Sequence, residues 1–332
     1  QTFCFFDSTI REVFSFLSTM LTRRIFSLAL AALSTPALAR PRSTKIVVPY
    51  PAGGPLDAAA RILAEALKKT HGRVIVDNRP GAAGARGMLE VKAADADGKT
   101  LAIGALATLV VNPLLFNDLP YRPQDFAPVC LLSDAPNVLV MTEKTMAKIG
   151  INNAADLFDY IKANPGKLNC ASGGTGSAGH IVNAILASQS LNTTHVPYAG
   201  AMAAQLSVLS GETDLMFDNF GSARAAIADG RLRVLAQTQG KALPEINAPT
   251  LKSLGIDCDV STWFGLVAPK STPEKVREDI FLEIQKILSD AKTRERFERS
   301  AGPVRLLDHR AFAKWIESEQ VKYLSFLKTL RI

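Results

Sequence analysis

The sequence predicts an α/β protein, and three patterns carry this prediction. After position 40, short apolar strands alternate with tight loops and amphipathic helices, as a parallel sheet requires. The same alternation restarts near residue 140. A long β-branched and aromatic run, STWFGLVAP, then precedes two helical stretches at the end of the chain. At 332 residues, 47% of them hydrophobic and 21% charged, the chain is long enough for two such regions with a buried core.

The first region begins with a predicted strand over Lys45–Pro49, followed by the loop PYPAGGPLD. An apolar stripe then predicts a helix over Ala58–Thr70, with Asp57 placed to cap its start and Gly72 placed to end it. Two further strands are predicted at Val74–Val76 and Thr100–Ile103.

The second region opens with the strand-like run Pro136–Glu143. Helices are then predicted at Ala154–Ala163, Ile181–Gln189 and Met202–Ser210, and strands at Leu168–Ala171, His195–Pro197, Asp214–Phe217 and Leu232–Ala236. The long strand Ser261–Pro269 follows, and helical stretches at Pro273–Ala301 and His309–Leu330 finish the chain. One crossing near residue 140 and one near residue 262 would return these last helices to the first region.

The first 39 residues are predicted to lie outside the fold. From Met20 the chain reads MLTRRIFSLALAALSTPALA, a basic start, a short apolar run and a small-residue end at Ala39. This layout is typical of a secretory signal peptide, and we expect cleavage after Ala39 and a true start at Met20. The pair Arg23 and Arg24 leaves general and twin-arginine export both open. A retained anchor is disfavoured because a membrane span needs about 20 apolar residues.

The formal net charge of +7 does not indicate a nucleic-acid partner. Lys and Arg residues are dispersed among Asp and Glu, which fits a mild attraction for small anions better than a basic binding face. Cys130, Cys170 and Cys258 remain after cleavage, without C-x-x-C spacing, so at most one pair of them can form a disulfide. The histidines are far apart in sequence, and we expect no metal site.

The run NCASGGTGSAGH contains a G-x-G-x-x-G pattern at Gly174, Gly176 and Gly179. A dinucleotide site also needs an acidic residue about 20 positions later, to bind a ribose hydroxyl. The stretch SLNTTHVPYAG at residues 190–200 contains no acid. No glycine loop ends in Lys-Ser or Lys-Thr either, so we expect neither a nucleotide nor any other cofactor.

Without a nucleotide, the glycine run is predicted to be an uncharged anion site. Its backbone N–H groups precede a helix, and Ser172, Thr175 and Ser177 add hydroxyls. Gly53 and Gly54 give the loop PYPAGGPLD the same character. The two loops, one in each region, could face each other across a cleft and hold a small carboxylate. Each glycine also fits an ordinary strand-to-helix turn, which remains the alternative interpretation.

Two further side chains have open roles. Asp218, in MFDNFG, could orient a ligand hydroxyl or amine, or could cap a helix beginning near Ser222. His180 fits the first turn of a helix better than it fits a catalytic base, because no motif places a Ser or Cys nucleophile around it. G-x-S-x-G, H-E-x-x-H and paired catalytic carboxylates are absent from the sequence, so it contains no recognisable catalytic motif for hydrolysis.

Taken together, these motifs resemble the Bug family, the periplasmic substrate-binding receptors of tripartite tricarboxylate transporters. The resemblance covers essentially the whole chain after the signal, through IVVPYPAGGPLD, VIVDNRPGAAG, DFAPVCLL, PNVLV, KANPGKLNCASGGTGSAGH, HVPYAG, GETDLMFDN, LRVLAQT and STWFGLVAP. It implies the type II periplasmic binding protein fold, with two α/β lobes, a ligand cleft and two crossover strands. Lobe 1 would be residues 40–142 plus 262–332, and lobe 2 would be residues 143–261.

The resemblance also implies a non-enzymatic receptor that binds a small carboxylate between the lobes. Its partners would be membrane transporter subunits or a sensor kinase, and it would be a monomer. The residues that match the family's ligand contacts are Tyr50, Gly53, Gly54, Asp57 and Thr108 in lobe 1 and Ser172, Gly174, Thr175, Gly176, Ser177, Tyr198 and Asp218 in lobe 2.

Three departures from the family pattern make the predicted cleft less polar. Leu56 stands where a small hydroxyl residue is common, Ala105 opens a run that is usually more polar, and Ala199 stands where Lys is common. We therefore expect a ligand with an apolar or aromatic part beside its carboxylate. The alternatives are a hydrolase or other enzyme on the same two-lobe fold, and a cytoplasmic effector-sensing domain, which the export signal and the lack of a helix-turn-helix disfavour.

Overall fold

The computed structural model describes residues 43 to 330, and their strands form one continuous, bent sheet. The predicted signal peptide lies outside the described residues. The strands are β1 (Thr44–Val48), β2 (Val74–Asn78), β3 (Thr100–Ala105), β4 (Phe126–Met141), β5 (Asn169–Ser172), β6 (Thr194–Pro197), β7 (Leu215–Asn219), β8 (Arg233–Gln237), β9 (Ser261–Pro269) and β10 (Val304–Leu307).

Helices follow most strands. They are α1 (Pro55–His71), α2 (Ala85–Lys92), α3 (Asn112–Leu115), α4 (Glu143–Ile149), α5 (Ala154–Ala163), α6 (Ala178–Ser188), α7 (Ala201–Ser210), α8 (Phe220–Ala228), α9 (Glu274–Ser289), α10 (Ala291–Ala301) and α11 (His309–Leu330). The described residues include no helix with both the length and the apolar character needed to cross a membrane.

Strand β4 connects the two parts of the sheet. From Phe126 to Pro136 it pairs antiparallel with β9, and from Asn137 to Met141 it pairs with β7 and β8 instead. In the first part, β1 lies between β2 and β3 in parallel pairs, and β3 pairs antiparallel with β9. In the second part, β5 lies parallel between β6 and β7. Each part therefore combines parallel βα units with antiparallel pairing to a long strand.

Successive residues of the central strands are buried on opposite faces of the sheet. In β1, Ile46 and Val48 pack with α1, α9 and α10, whereas Val47 packs on the other face with α2 and α11. In β4, Val138 and Val140 pack against α7 and α8. Strands covered on both faces are apolar throughout, which is why their sequences lack a clear polar alternation.

Several predicted elements have different bounds in the structure. Helix α1 begins at Pro55 rather than Ala58, because proline at the first helical position needs no N–H partner. Asp57 therefore lies inside the first turn, and the prediction that it caps the helix was wrong. Helix α8 begins at Phe220, and Asn219 caps it by accepting a hydrogen bond from the Gly221 N–H at 2.9 Å, so Asp218 is not the cap either.

The end of the chain also differs from the prediction. The stretch predicted as one helix from Pro273 to Ala301 divides into α9 and α10, because Asp290 leaves the helical conformation and its side chain caps α10. Strand β10 and residues 126–135 of β4 were not predicted as strands. In the described part of the chain Cys130, Cys170 and Cys258 are buried and each is a free thiol.

Candidate functional site

A cavity of about 340 Å³ lies where four helices begin. Its wall includes the first residues or N-caps of α1, α6, α7 and α8, for example Gly54, Ser177, Gly200 and Asn219. The first N–H groups of a helix have no partner within the helix, and the helix dipole places partial positive charge there. The arrangement therefore favours an anion inside the cavity.

The loop between β1 and α1 forms one wall. Tyr50, Gly54 and Asp57 line the cavity, together with Pro51, Ala52, Pro55 and Leu56. Gly53 does not line the cavity. It is exposed, adopts a positive φ of 89°, and donates its N–H to the Asp57 carboxylate.

Asp57 is buried, but its carboxylate is fully occupied by its own surroundings. Oδ2 accepts hydrogen bonds from the Gly53 N–H at 2.9 Å and from Arg61 Nε at 2.8 Å, and Oδ1 accepts from Asn78 Nδ2 at 2.9 Å. Burial raises the pKa of Asp57, but these donors outweigh burial, and the net pKa lies below the ordinary value. Asp57 is therefore an ionised structural group that holds the loop.

Tyr50 and Tyr198 each carry a buried hydroxyl without a hydrogen-bond partner among the described residues. Burial raises the pKa of Tyr50 to about 12, so this hydroxyl stays protonated at neutral pH. Tyr50 lines the cavity, whereas Tyr198 lies behind it and joins the core beside α7 and α8. The Tyr50 hydroxyl is thus available to donate to a ligand.

The turn after β3 forms another part of the wall. Ala105, Leu106 and Ala107 line the cavity, whereas Thr108 is fully buried behind them. Thr108 Oγ1 accepts a hydrogen bond from the Ala105 N–H at 3.0 Å. Thr108 therefore positions this turn and does not itself reach the cavity.

The glycine run after β5 contributes mainly through its two ends. Gly173 and Ser177 line the cavity, whereas Gly174, Thr175 and Gly176 do not, and Thr175 is exposed. Gly174 and Gly176 have φ angles of 118° and 79°, which L side chains rarely adopt. A Cβ atom at Gly176 would lie 2.2 Å from Asn112 Oδ1, so glycine is also required there by close packing.

Ser172 and two histidines hold the glycine run from behind. Ser172 Oγ lies 2.7 Å from His195 Nε2 and accepts a hydrogen bond from the Gly174 N–H at 3.2 Å. His180, in the first turn of α6, accepts from the Gly176 N–H at Nδ1 and stacks on His195 with ring centroids 4.2 Å apart. Burial lowers the pKa of both histidines, to about 4 for His195, so both rings are neutral at pH 7.

Asp218 is the penultimate residue of β7 and lines the cavity with only 1% of its surface exposed. Oδ2 accepts a hydrogen bond from Gln205 Nε2 at 2.8 Å, but Oδ1 has no partner within residues 43–330. Burial is the largest influence on this carboxyl and raises its pKa to about 7, despite hydrogen bonds that favour the charged form.

Three polar residues of the wall were missed by the sequence analysis: Asn137, Asn219 and Thr262. Thr262 Oγ1 donates to Asn137 Oδ1 at 2.7 Å, which joins the two long strands β9 and β4 at the cavity. Asn219 Nδ2 is buried without a partner among the described residues. The only sequence signal for Asn137 and Thr262 is that each is a polar residue in a mostly apolar strand.

The rest of the wall is apolar, and within residues 43–330 it includes no Lys, Arg or His. The remaining lining residues are Ala178, Gly179, Ala199, Gly200, Ala201, Met202, Ala203, Leu206, Met216 and Phe217. Leu56, Ala105 and Ala199, the three departures from the family pattern, all lie in the wall. No cluster of three or more potential metal ligands occurs in the described residues.

The α/β sheet has two parts that share the long strands β4 and β9, and the cavity lies where several helices begin. This architecture is that of a ligand-binding receptor of the periplasmic binding protein type. Residues 59–329 match the family model described as "Tripartite tricarboxylate transporter family receptor". The chain is also 36% identical over 249 residues to a UPF0065 protein in the tcbD-tcbE intergenic region of Pseudomonas sp. strain P51, covering 73% of each chain. The chain belongs to this receptor family.

Solved structures show the same fold. Rpa4515 of R. palustris with adipate superposes with a TM-score of 0.81 at 26% identity, covering 90% of this chain and 99% of that one. MatC of Rhodopseudomonas palustris with bound malate gives a TM-score of 0.77 at 26% identity, covering 86% and 99%. The family and these structural relatives are solute-binding proteins and not enzymes, so the prediction of a non-enzymatic receptor is confirmed.

Proposed function

We propose that this chain captures a small carboxylate in the cavity described above. One observation carries the proposal: four helix N-termini converge on a cavity whose described wall has no cationic side chain. Backbone N–H groups and helix dipoles attract an anion without a charged partner, and a largely apolar wall strengthens that attraction. The relatives solved with adipate and malate support a carboxylate as the ligand class.

The wall further favours a ligand with an apolar or aromatic part. Leu56, Leu106, Met202 and Phe217 line the cavity, and the polar side chains are concentrated at Asn137, Asp218, Asn219 and Thr262. Burying apolar surface stabilises a complex by about 25 cal/mol per Å². A compact polyacid such as citrate has little apolar surface to bury against this wall. We propose that Tyr50, the Gly54 and Ser177 segments and the polar side chains named here contact the ligand.

Delivery of the ligand is the second part of the proposal. The family acts with membrane transporter components, and we propose that this chain presents its closed form to such subunits or to a sensor kinase. Closure would bring lobe 1 (residues 40–142 plus 262–332) against lobe 2 (143–261), by bending at β4 and β9. We further propose export through the predicted signal peptide, cleavage after Ala39, and a monomeric mature protein.

A thermal-shift screen tests the ligand class. The mature chain is heated with benzoate, 3-phenylpropionate, adipate, malate and citrate, and with benzamide as an uncharged control. A ligand present at 100 times its Kd should add about 2.7 kcal/mol of stability. We expect the acids with apolar bodies to raise Tm and benzamide to have no effect.

The screen has two adverse outcomes. Stabilisation by malate and citrate alone would disprove the preference for an apolar part. If no carboxylate raised Tm, the proposed function itself would be wrong.

A further inference from the structure

Asp218 is an acid in a cavity suited to anions. It lines the cavity and is almost completely buried, and Oδ1 has no partner within residues 43–330. The alternative role, capping α8, is taken by Asn219, which accepts the Gly221 N–H. The free oxygen of Asp218 is therefore available to a ligand.

The groups around Asp218 do not supply a positive charge. Gln205 of α7 donates to Oδ2, and Asn219 of β7 and Ser222 of α8 also act on this carboxyl, all three as neutral groups. Arg224 of α8 is directed elsewhere, since it pairs with Glu245 and lies over the Phe220 ring. The groups on the neighbouring strands and on α6 are Asn137, Cys170, Thr262 and the neutral His180. The other titratable groups of the cavity wall are Tyr50 and Asp57, and the Asp57 carboxylate already accepts hydrogen bonds at both oxygens.

A second anion in this cavity would be repelled by an ionised Asp218. A carboxylate bound in the same cavity of about 340 Å³ would lie close enough to Asp218 that salt screens their charges only partly. Burial weakens the screening further. Two acidic groups in one desolvated site are stable together when one of them holds a proton.

We propose that Asp218 takes up one proton from solvent when a carboxylate binds, and that its Oδ1–H group donates a hydrogen bond to the ligand. This inference rests on the proposed function. The proton moves from water to Oδ1, no bond of the ligand changes, and Asp218 in the loaded cavity is neutral. Asp218 thereby selects ligands that present an acceptor oxygen at this point over ligands that present an ammonium group.

The sign of the resulting pH dependence follows from linkage. Below about pH 7 the free protein already holds the proton on Asp218, so the apparent Kd is constant. Above about pH 7 binding must recruit the proton, and the apparent Kd rises by up to tenfold per pH unit. An ammonium-bearing ligand paired with ionised Asp218 would show the opposite slope.

Isothermal titration calorimetry measures both the number of protons taken up on binding and the apparent Kd. The mature chain is titrated with benzoate, adipate and malate at about pH 6.5 and about pH 8.5, in two buffers with different heats of ionisation. We expect about one proton taken up per carboxylate at the higher pH and less at the lower pH. With a pKa of about 7 for Asp218 in the free protein, we expect the Kd to weaken by up to about 25-fold between pH 6.5 and 8.5.

Two variants assign the proton to its site. Asp218→Asn mimics the neutral acid, so its proton uptake should vanish and its Kd should not change with pH. Tyr50→Phe removes the other ionisable cavity group with a free oxygen, and it should retain the proton uptake whatever its effect on affinity. If Asp218→Asn fails to fold, the two-buffer measurement on the natural chain still tests the proton uptake, and its absence at about pH 8.5 would overturn the proposal.

The outcomes separate this inference from the proposed function. Carboxylate binding without proton uptake, or with a Kd that improves as the pH rises, would overturn the role of Asp218 and leave the carboxylate receptor intact. Proton uptake that persists in Asp218→Asn would also overturn it. Failure of every acid to bind the folded chain at both pH values would remove the proposed function, and this inference with it.

Discussion

Two buried acids line the same cavity, yet they have opposite electrostatic characters. Asp57 is 3% exposed and Asp218 is 1% exposed. Asp57 accepts hydrogen bonds from three groups, one of them a guanidinium, whereas the groups that act on Asp218 (Gln205, Asn219 and Ser222) are all neutral. The pKa of Asp57 lies below its ordinary value and that of Asp218 is about 7. Burial alone therefore does not determine the charge of an acid; the donors around it do.

The difference has a local cause. Asp57 lies in the first turn of α1, so that Gly53 and Arg61 are each four residues away on the chain, and Asn78 lies at the end of the adjacent strand β2. Asp218 is the penultimate residue of β7, and the last residue, Asn219, caps α8. Asp57 is therefore hydrogen-bonded by residues close to it in the chain, whereas Oδ1 of Asp218 has no hydrogen-bond partner among the described residues.

The largest expected effect is a pH-dependent change in the free energy of unfolding caused by Asp218. The folded pKa of Asp218, about 7, lies above the unfolded value near 3.8, so the folded state binds the proton more tightly. Its stabilisation is complete below about pH 4 and is lost as the pH rises to about 7, at about 1.4 kcal/mol per pH unit. In urea denaturation of the unliganded chain, Asp218→Asn should match the natural protein near pH 4 and exceed it at pH 7. Equal stability at both pH values would contradict the raised pKa.

The second prediction concerns Asp57. Asp57→Ala leaves Gly53 N–H, Asn78 and Arg61 without their acceptor, and we expect a loss of about 3 kcal/mol in the free energy of unfolding at pH 7. Because the pKa of Asp57 is lowered, its contribution is present above the unfolded pKa and disappears as the pH falls below about 4. Urea denaturation checks this, with Asp218→Asn as the matched control. If both substitutions changed the free energy of unfolding in the same direction at pH 7, the proposed electrostatic difference between Asp57 and Asp218 would be contradicted.

The third prediction compares two glycines in the loops at the cavity, Gly176 in the glycine run after β5 and Gly54 in the loop after β1. Gly176→Ala should cost about 2 kcal/mol, because φ is 79° and the new Cβ would lie 2.2 Å from Asn112 Oδ1. Gly54→Ala is the control, since φ there is −81° and no atom lies within 4 Å of the added Cβ. We expect its unfolding free energy to change by less than about 0.5 kcal/mol. Thermal denaturation of both variants distinguishes them, and similar losses would be contrary to expectation.

The smallest expected effect is electrostatic. Ala199 lines the cavity and is exposed, and Ala199→Lys would place a cation where the described wall has none. We expect about a threefold tighter Kd for adipate, and a gain that disappears at high salt. Calorimetric titration at low and high ionic strength measures it, with Ala199→Gln as the uncharged control. A gain shared by the glutamine variant would mean that charge is not the cause.

Local patterns were sufficient to predict many elements. Helix Ala154–Ala163 and strand Ser261–Pro269 have the predicted bounds, because Asn153 caps the helix and the strand is a continuous β-branched and aromatic run. The start of α1 was predicted three residues late, since the apolar stripe begins after the proline that starts the helix. The bend of β4 between its partners has no signal in the local sequence.

The candidate site was partly accessible to sequence reasoning. Of the residues predicted to contact a ligand, Tyr50, Gly54, Asp57, Ser177 and Asp218 line the cavity. Other predicted residues lie behind or beside the wall, namely Gly53, Thr108, Ser172, Gly174, Thr175, Gly176 and Tyr198. A motif places a segment near a site, but which of its side chains faces inward depends on the packing of neighbouring elements.

The sequence by itself determined the alternation of strands and helices, the glycine turns and the family, because these depend on residues close together in the chain. Only the tertiary structure decided which polar atoms remain free. Asn137 and Thr262 meet across two long strands, and Asp57 and Asp218 differ through donors that no motif encodes. The charge of a buried group is set by the sum of its neighbours in space, and those neighbours come together only when the sheet has formed.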